Sequence, residues 1–321
     1  MSEEVILEVR GLKKHFDTPK GKLHAVDDIS FKIEKGKTLG IVGESGCGKS
    51  TTGRVILRLL EATDGEILFE GQNIRDFNKK KMRLLREDMQ IIFQDPFASL
   101  NPRMTTSEII GEPLIIHKMV NSKAELAERV EQLMELVGLS KRLINTYPHE
   151  LDGGRRQRIG IARALALNPK FIICDEPVSA LDVSIQAQVL NLMQDLQDKL
   201  GLTYIFITHD LSVVKHFSDE IAVMYLGQLV EKAPASKLFK KPSHPYTRAL
   251  LSAIPTTDLD QLMNREVLKG EITSPINPKP GCRFASRCKY VTKECTGSNI
   301  KLREVDKEHF VACNLVADNI H

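Results

Sequence analysis

The chain has 321 residues, of which 42% are apolar and 27% charged, and these values predict a globular protein of one large domain or of one domain with an appendage. Its formal net charge of +3 is spread along the sequence and gives no argument for a nucleic acid or an anionic surface as partner. Residues Met1 to Glu4 lack the features of a signal peptide, and no apolar run reaches the roughly 18–20 residues that span a bilayer. We therefore expect a cytosolic protein whose role at a membrane depends on partners.

Three segments near the N-terminus predict an antiparallel flank. Val5 to Val9 and Ile29 to Ile33 predict strands on either side of a polar loop, Asp17 to Lys22, and Ile67 to Phe69 predicts a further short strand.

A glycine-rich segment, Gly43 to Thr51, is the clearest motif in the sequence. It follows an apolar run, Thr38 to Val42, that predicts a buried strand, and it precedes Thr52 to Leu60, whose apolar spacing predicts a helix. Such a turn points backbone N–H groups at one place, at the positive end of the helix dipole, and binds phosphate. We expect Lys49 to reach the β- and γ-phosphates of a nucleotide and the Ser50 hydroxyl to bind Mg²⁺. The predicted nucleotide contacts are Gly43, Glu44, Ser45, Gly46, Cys47, Gly48, Lys49, Ser50 and Thr51.

The middle of the chain predicts helices and buried strands. Asn78 to Glu87 is basic and helical in character, Met89 to Phe93 predicts a strand, and residues from about 105 to 165 predict helices. Two apolar runs, Phe171 to Cys174 and Thr203 to Ile207, lie between helices, as the strands of a parallel sheet do.

Two carboxylates, Asp175 and Glu176, follow the predicted strand Phe171 to Cys174. At the carboxyl edge of a parallel sheet they would lie beside the phosphate loop, Asp175 holding Mg²⁺ and Glu176 acting as general base on the attacking water. Gln94 and His209 also follow predicted strands, where Gln94 is placed to reach Mg²⁺ and water and His209 the γ-phosphate. Alone, a histidine at a strand end is more often structural.

A second glycine pair, Gly153 and Gly154, opens the predicted helix that continues through Ile159 to Leu167. It is a second helix N-terminus suited to phosphate. Two half-sites in one chain predict that ATP is bound between two such subunits, and the segment Ser179 to Asp182 fits a contact across that interface.

In this order the motifs resemble those of the ATP-binding subunits of ABC transporters, over about residues 5 to 235. The resemblance implies an α/β P-loop NTPase fold with a RecA-like core, an antiparallel β flank, a helical subdomain at about residues 95–165 and a small cysteine-rich C-terminal domain. It also implies ATP hydrolysis with Mg²⁺, held through Ser50, Gln94 and Asp175. Phe16 falls where an aromatic ring stacks on adenine, with an ordinary loop anchor as the alternative.

A narrower resemblance is to the ATP-binding subunits of dipeptide and oligopeptide importers. It is carried by Gln94 to Arg103, by His244 to Leu251, and by Gly281 to Cys288. It implies peptide uptake at the cytoplasmic face of the cell membrane, with a related but non-identical second ATPase, two transmembrane permease subunits and an extracytoplasmic solute-binding protein. Nickel importers share these features, so another solute stays open.

The composition changes after about residue 235, where prolines cluster, and we predict an ATPase domain at residues 1–235 and an accessory domain at 236–321. Four cysteines, Cys282, Cys288, Cys295 and Cys313, follow the pattern C-x5-C-x6-C-x17-C. In a cytosolic chain this favours a metal over disulfides, although the paired C-x2-C of structural zinc is absent. The resemblance to peptide importers favours a 4Fe–4S cluster, with zinc or free thiols as alternatives.

The signature segment departs from the family pattern Leu-Ser-Gly-Gly-Gln, because Asp152 replaces the serine and Arg155 the glutamine. An ionised Asp cannot donate to the γ-phosphate of the ATP on the other subunit. Two unit charges about 4 Å apart repel by roughly 4 kcal/mol at an effective dielectric constant near 20, with Arg155 as a partial counter-charge. The hypothesis is that one of two composite sites hydrolyses ATP poorly; whether these residues are natural or introduced stays open.

Two other classes compete with the transporter. A soluble ABC ATPase acting on DNA or ribosomes usually carries coiled-coil insertions, internal zinc modules or tandem cassettes, and none is visible, so we expect no nucleic-acid partner. A regulatory partner that binds ATP but turns it over weakly would fit the altered signature.

Overall fold

The computed structural model describes residues 4–254, 268, 270 and 273–317. The chain divides into two compact units, one formed by residues 1–75 with 206–321 and the other by residues 76–205. The boundary predicted at residue 235 falls inside the first unit, because strands from both sides of it share one sheet. The separate accessory domain stays a prediction.

The first unit begins with two long strands and the glycine-rich turn. Its elements up to residue 75 are β1 (Val5–Thr18), β2 (Gly21–Glu34), β3 (Thr38–Val42), α1 (Lys49–Ile56), β4 (Asp64–Phe69) and β5 (Gln72–Asn73).

The second unit is mostly helical. Its elements are α2 (Lys79–Asp88), β6 (Met89–Ile92), α3 (Pro96–Ser99), α4 (Thr106–Ile116), α5 (Lys123–Leu136), α6 (Gly153–Leu165), β7 (Phe171–Asp175) and α7 (Val183–Leu200).

The first unit resumes at Phe206, which lies within the strand that follows α7. From there the elements are β8 (Thr203–Thr208), α8 (Leu211–Phe217), β9 (Glu220–Tyr225), β10 (Gln228–Pro234), α9 (Ala235–Lys240), α10 (Pro245–Ser252), β11 (Arg303–Asp306), β12 (His309–Val311) and α11 (Asn314–Ala317).

The antiparallel flank is a sheet with the strand order β2-β1-β4-β5. The sequence prediction was wrong about its length, since β1 and β2 pair as far as Thr18 opposite Gly21, and the predicted polar loop is reduced to a two-residue tip. The outer halves of both strands carry half-exposed polar side chains, so they lack the apolar alternation that marks a strand.

The glycine-rich turn of the first unit follows a buried strand, as predicted. All five residues of β3 are buried, and β3 pairs in parallel with β9, to which β10 adds in antiparallel. The same sheet continues through β12 to β11, which come from the cysteine-rich end of the chain. Residues near the C-terminus are therefore part of the sheet that carries the glycine-rich turn.

In the second unit, β6 and β7 form a parallel pair, and helices α4, α5 and α6 pack on one another. Four helices of this unit, α2, α4, α5 and α6, begin at side-chain caps: Asn78 for α2, Thr105 in a capping box with Glu108 for α4, Ser122 for α5 and Asp152 for α6. The predicted helices between residues 105 and 165 are thus confirmed. Among the described residues, none of the helices is both long and apolar enough to cross a membrane.

Candidate nucleotide-binding site

The phosphate loop between β3 and α1 is shaped by two glycines. Gly43 has φ 152°, and a Cβ atom there would lie 2.1 Å from the carbonyl oxygen of Met224. Gly48 has φ 105°, and a Cβ atom there would lie 2.1 Å from the carbonyl oxygen of Ala25. Larger residues would displace the backbone of the neighbouring strands, so these positions require glycine.

Lys49 is the first residue of α1 and is only 5% exposed. Its Nζ donates to the carbonyl oxygens of Gly43, at 2.7 Å, and Glu44, at 3.1 Å. The loop therefore wraps around the lysine ammonium group, as a phosphate-binding loop does. Ser50 and Thr51 follow in the first turn of the helix, where the backbone N–H groups and the helix dipole favour an anion.

Glu44 is held by two residues that sequence reasoning did not connect to the loop. Arg287 donates to both carboxylate oxygens, with Nη1 2.7 Å from Oε2 and Nη2 3.1 Å from Oε1. The backbone N–H of Glu44 donates to the hydroxyl of Tyr246 at 3.0 Å. One feature of the sequence pointed to such a partner: Glu44 is a carboxylate inside a loop that binds phosphate, so it needs a positively charged neighbour.

The second unit brings Gln94 and Glu176 together. Because β6 and β7 run in parallel with Ile92 opposite Cys174, the residues that follow both strands meet at one edge. The Gln94 amide Nε2 donates to Oε2 of Glu176 at 3.0 Å, and Glu176 has φ 48° in the left-handed region. Asp175 ends β7 and is 2% exposed. A strained backbone at a residue whose carboxylate is oriented by an amide is typical of a functional site.

The signature segment begins α6 as predicted. Oδ1 of Asp152 accepts the backbone N–H of Arg155 at 2.8 Å, and Oδ2 pairs with the Arg155 guanidinium at 3.1 Å. The two residues that depart from the family pattern therefore form an ion pair with each other.

The two glycines of the signature are closely packed. A Cβ at Gly154 would lie 2.6 Å from the Ile185 side chain, and one at Gly153 would lie 2.9 Å from that of Leu181. The segment containing Leu181 thus packs against the signature.

The structure gives the positions of two further predicted residues, His209 and Phe16. His209 is exposed directly after β8, and Phe16 lies half-buried on β1 opposite Leu23. The ammonium group of Lys14 lies 4.8 Å from the centre of the Phe16 ring. The γ-phosphate contact of His209 and the adenine contact of Phe16 stay predictions.

The four C-terminal cysteines are neighbours in the first unit. The backbone N–H of Cys282 donates to the carbonyl of Cys295 at 2.8 Å. Burial raises the pKa of the Cys282 thiol to about 11, with further increases from Cys295, Cys313 and Cys288, while a backbone N–H from Phe284 lowers it. The Cys313 sulfur accepts from the backbone N–H groups of two following residues, and burial raises its pKa. Such N–H donors stabilise a thiolate.

Four thiols are a donor set that suits either a zinc ion, whose sulfur ligands lie about 2.3 Å from the metal, or a 4Fe–4S cluster. All four cysteines belong to the described residues, where the groups of three or more metal-ligating side chains do not include them. Within the described part of the chain, His15, His24 and Asp27 do form such a group, with ligand atoms within 4.8 Å of one another, but Asp27 already pairs with Arg283. The donor set is all-thiolate, and the 4Fe–4S cluster and its alternatives, zinc and free thiols, stay predictions.

Comparisons with known proteins identify the family. The family model described as "ABC transporter" matches residues 26–179, and the one described as "Oligopeptide/dipeptide transporter, C-terminal region" matches residues 230–295. The "Oligopeptide transport ATP-binding protein OppF" of Bacillus subtilis (strain 168) is 56% identical over 97% of this chain and 96% of its own length. The chain belongs to the ATP-binding subunits of ABC transporters.

Solved structures of other ATP-binding subunits share this fold. The chain cbiO1 from Clostridium perfringens, described as part of the ABC transporter complex cbiONQ, matches with a TM-score of 0.66 and 30% identity over 74% of this chain and 92% of its own. The ATP-binding cassette MJ0796, described as a dimer in a post-hydrolysis state with ADP and Pi, matches with a TM-score of 0.66 and 28% identity over 71% of this chain and 98% of its own. The predicted P-loop NTPase fold is confirmed, and this subunit is an ATPase of the ABC type.

Proposed function

We propose that this ATP-binding subunit hydrolyses ATP at the cytoplasmic face of the cell membrane to drive the uptake of di- or oligopeptides. The proposal is carried by the 56% identity to an oligopeptide transport ATP-binding protein over nearly the whole of both chains. The C-terminal match, at residues 230–295, supports peptides over nickel, because that region is described for oligopeptide/dipeptide transporters.

The chemical step is in-line attack of water on the γ-phosphate, yielding ADP and phosphate. In this proposal Glu176 accepts the proton of the water, and Gln94 orients the carboxylate through their 3.0 Å hydrogen bond. Lys49 binds the β- and γ-phosphates, and His209 contacts the γ-phosphate. The adenine ring stacks on Phe16.

Mg²⁺ suits the oxygen donors that the chain offers. Ser50 supplies a hydroxyl, Gln94 an amide carbonyl and Asp175 a carboxylate, which are ligand types that Mg²⁺ accepts. When bound, the ion neutralises charge on the phosphate oxygens.

The proposed assembly contains a second, related ATPase, two transmembrane permease subunits and an extracytoplasmic solute-binding protein. The signature residues Asp152, Gly153, Gly154 and Arg155 would face the ATP of the second ATPase. The dimeric neighbour with ADP and Pi supports a two-subunit arrangement.

Lys49→Ala in the assembled complex should lower its peptide-stimulated ATPase rate by about 10²-fold or more, since the variant loses the buried ammonium group that contacts the phosphates. The measurement is phosphate release in liposomes with a peptide-loaded binding protein. Lys37→Ala, which removes an exposed lysine just before β3, is the matched control and should keep the rate. Stimulation by nickel without any response to peptides would contradict the proposed substrate.

We further propose that Cys282, Cys288, Cys295 and Cys313 hold a 4Fe–4S cluster. The support is their all-thiolate chemistry, their mutual proximity and the backbone N–H donors to two of the sulfurs. A bound cluster supplies four strong thiolate bonds that cross-link this end of the chain.

Protein purified without oxygen should contain about four irons and four sulfides per chain and absorb broadly near 400 nm. Cys295→Ser removes one buried ligand and should lower the iron content by more than half. Cys47→Ser, outside the group, is the control and should leave the iron content unchanged. One zinc per chain in a colourless wild-type sample would refute the cluster.

A further inference from the structure

We propose that Arg287 and Tyr246 are positioning residues that hold the phosphate loop in its ATP-binding form by acting through Glu44. This inference rests on the proposed function only in taking ATP as the ligand of the loop. It assigns a role in nucleotide binding to two residues that lie 202 and 243 positions away from Glu44 in the chain.

Glu44 is fixed at three points, and each uses a different group of the residue. Its carbonyl oxygen accepts a hydrogen bond from Lys49 Nζ at 3.1 Å, and its backbone N–H donates to the Tyr246 hydroxyl at 3.0 Å. Its carboxylate accepts hydrogen bonds from both terminal nitrogens of Arg287. These hydrogen bonds keep the peptide groups on both sides of Glu44 from rotating. The conformation of the loop around Lys49 is therefore set from outside the loop.

Arg287 also affects the loop through its positive charge, which neutralises the Glu44 carboxylate. The Glu44 side chain is 23% exposed and that of Arg287 is 7% exposed, so solvent screens the pair only weakly. Without Arg287, a carboxylate would be left unpaired in a loop that must accept a polyphosphate. Breaking such a buried pair on one side leaves an uncompensated charge, which costs more than the pair itself contributes.

The two positioning residues are themselves held rigidly. Tyr246 is fully buried, and its ring lies 4.7 Å from the ring of Tyr225 and 5.4 Å from that of Phe284. Arg287 ends a 3-10 turn, Ala285–Arg287, that lies between Cys282 and Cys288. The turn bracketed by two of the clustered cysteines thus carries the counter-charge of the phosphate loop.

The test is the dissociation constant for Mg–ATP, measured by equilibrium titration on the full-length subunit. Arg287→Gln should weaken ATP binding about tenfold or more, because it leaves the Glu44 carboxylate unpaired. The double variant Glu44→Gln with Arg287→Gln should recover to within about threefold of wild type, since the repelling charge is gone. A residue that merely packs against Tyr225 would show no such rescue by a change at Glu44.

Tyr246→Phe keeps the ring packing and removes only the hydroxyl that accepts from Glu44, so it should weaken binding by about two- to tenfold. Lys232→Gln is the matched control: it removes another ion pair of the same unit, to Glu220 at 2.5 Å, with side chains 10% and 31% exposed. Its ATP affinity should stay within about twofold of wild type.

Unchanged ATP affinity in folded Arg287→Gln would overturn the inference, and so would a double variant as weak as Arg287→Gln. Should Arg287→Gln fail to fold, Tyr246→Phe decides, and wild-type affinity in that variant overturns the inference. A wild-type chain that does not bind ATP would instead contradict the proposed function, which keeps the two failures apart.

Discussion

Replacing Glu176 with glutamine should lower the ATPase rate of the assembled transporter by about 10²–10⁴-fold, the usual contribution of a general base. The amide keeps the size of the side chain but cannot take the proton of the attacking water. Its 3.0 Å contact with Gln94 can still form through the remaining carbonyl oxygen. ATP binding should therefore persist, and the complex should accumulate with ATP bound. The measurement combines steady-state phosphate release with the dissociation constant for ATP.

Asp198→Asn is the matched control for this experiment. It makes the same carboxylate-to-amide change at an exposed position on α7, in the same unit. Its ATPase rate should equal that of wild type. A Glu176→Gln complex that hydrolyses ATP within about tenfold of wild type would show that another group accepts the proton.

Restoring the family signature with Asp152→Ser and Arg155→Gln together should raise the ATPase rate of the assembled complex by about tenfold. A serine hydroxyl can donate to the γ-phosphate of the opposing ATP, whereas an ionised carboxylate repels it. The effect is smaller than the Coulomb energy of an unpaired carboxylate suggests, because the side chains of Asp152 and Arg155 are 56% and 48% exposed and pair at 3.1 Å.

The single variants separate charge from hydrogen bonding. Arg155→Gln alone leaves the Asp152 carboxylate unpaired and should lower the rate below that of wild type. Asp152→Ser alone should raise it, and its thermal stability should change little, because serine caps a helix about as well as aspartate. A double variant with the wild-type rate would refute the hypothesis that this signature weakens a composite site.

Much of the fold follows from local sequence, because its buried strands carry their own signal. The runs at β3, β7 and β8 are buried at every residue, so a continuous apolar stretch bounded by turn residues was enough to predict them. The long hairpin of β1 and β2 was predicted only in part. Its outer halves present polar side chains and are defined by hydrogen bonds to a partner strand, which local composition does not encode.

From the amino-acid sequence alone we could predict the phosphate loop, the paired carboxylates at the end of β7 and the start of α6, because each depends on residues adjacent in the chain. Only the tertiary structure showed that Gln94 donates a hydrogen bond to Glu176 and that Asp152 pairs with Arg155. It also brought Arg287 and Tyr246 to Glu44, from 243 and 202 positions away in the chain. Such contacts depend on which strands and turns pack together, and packing is decided by burial over the whole unit and not by any single segment.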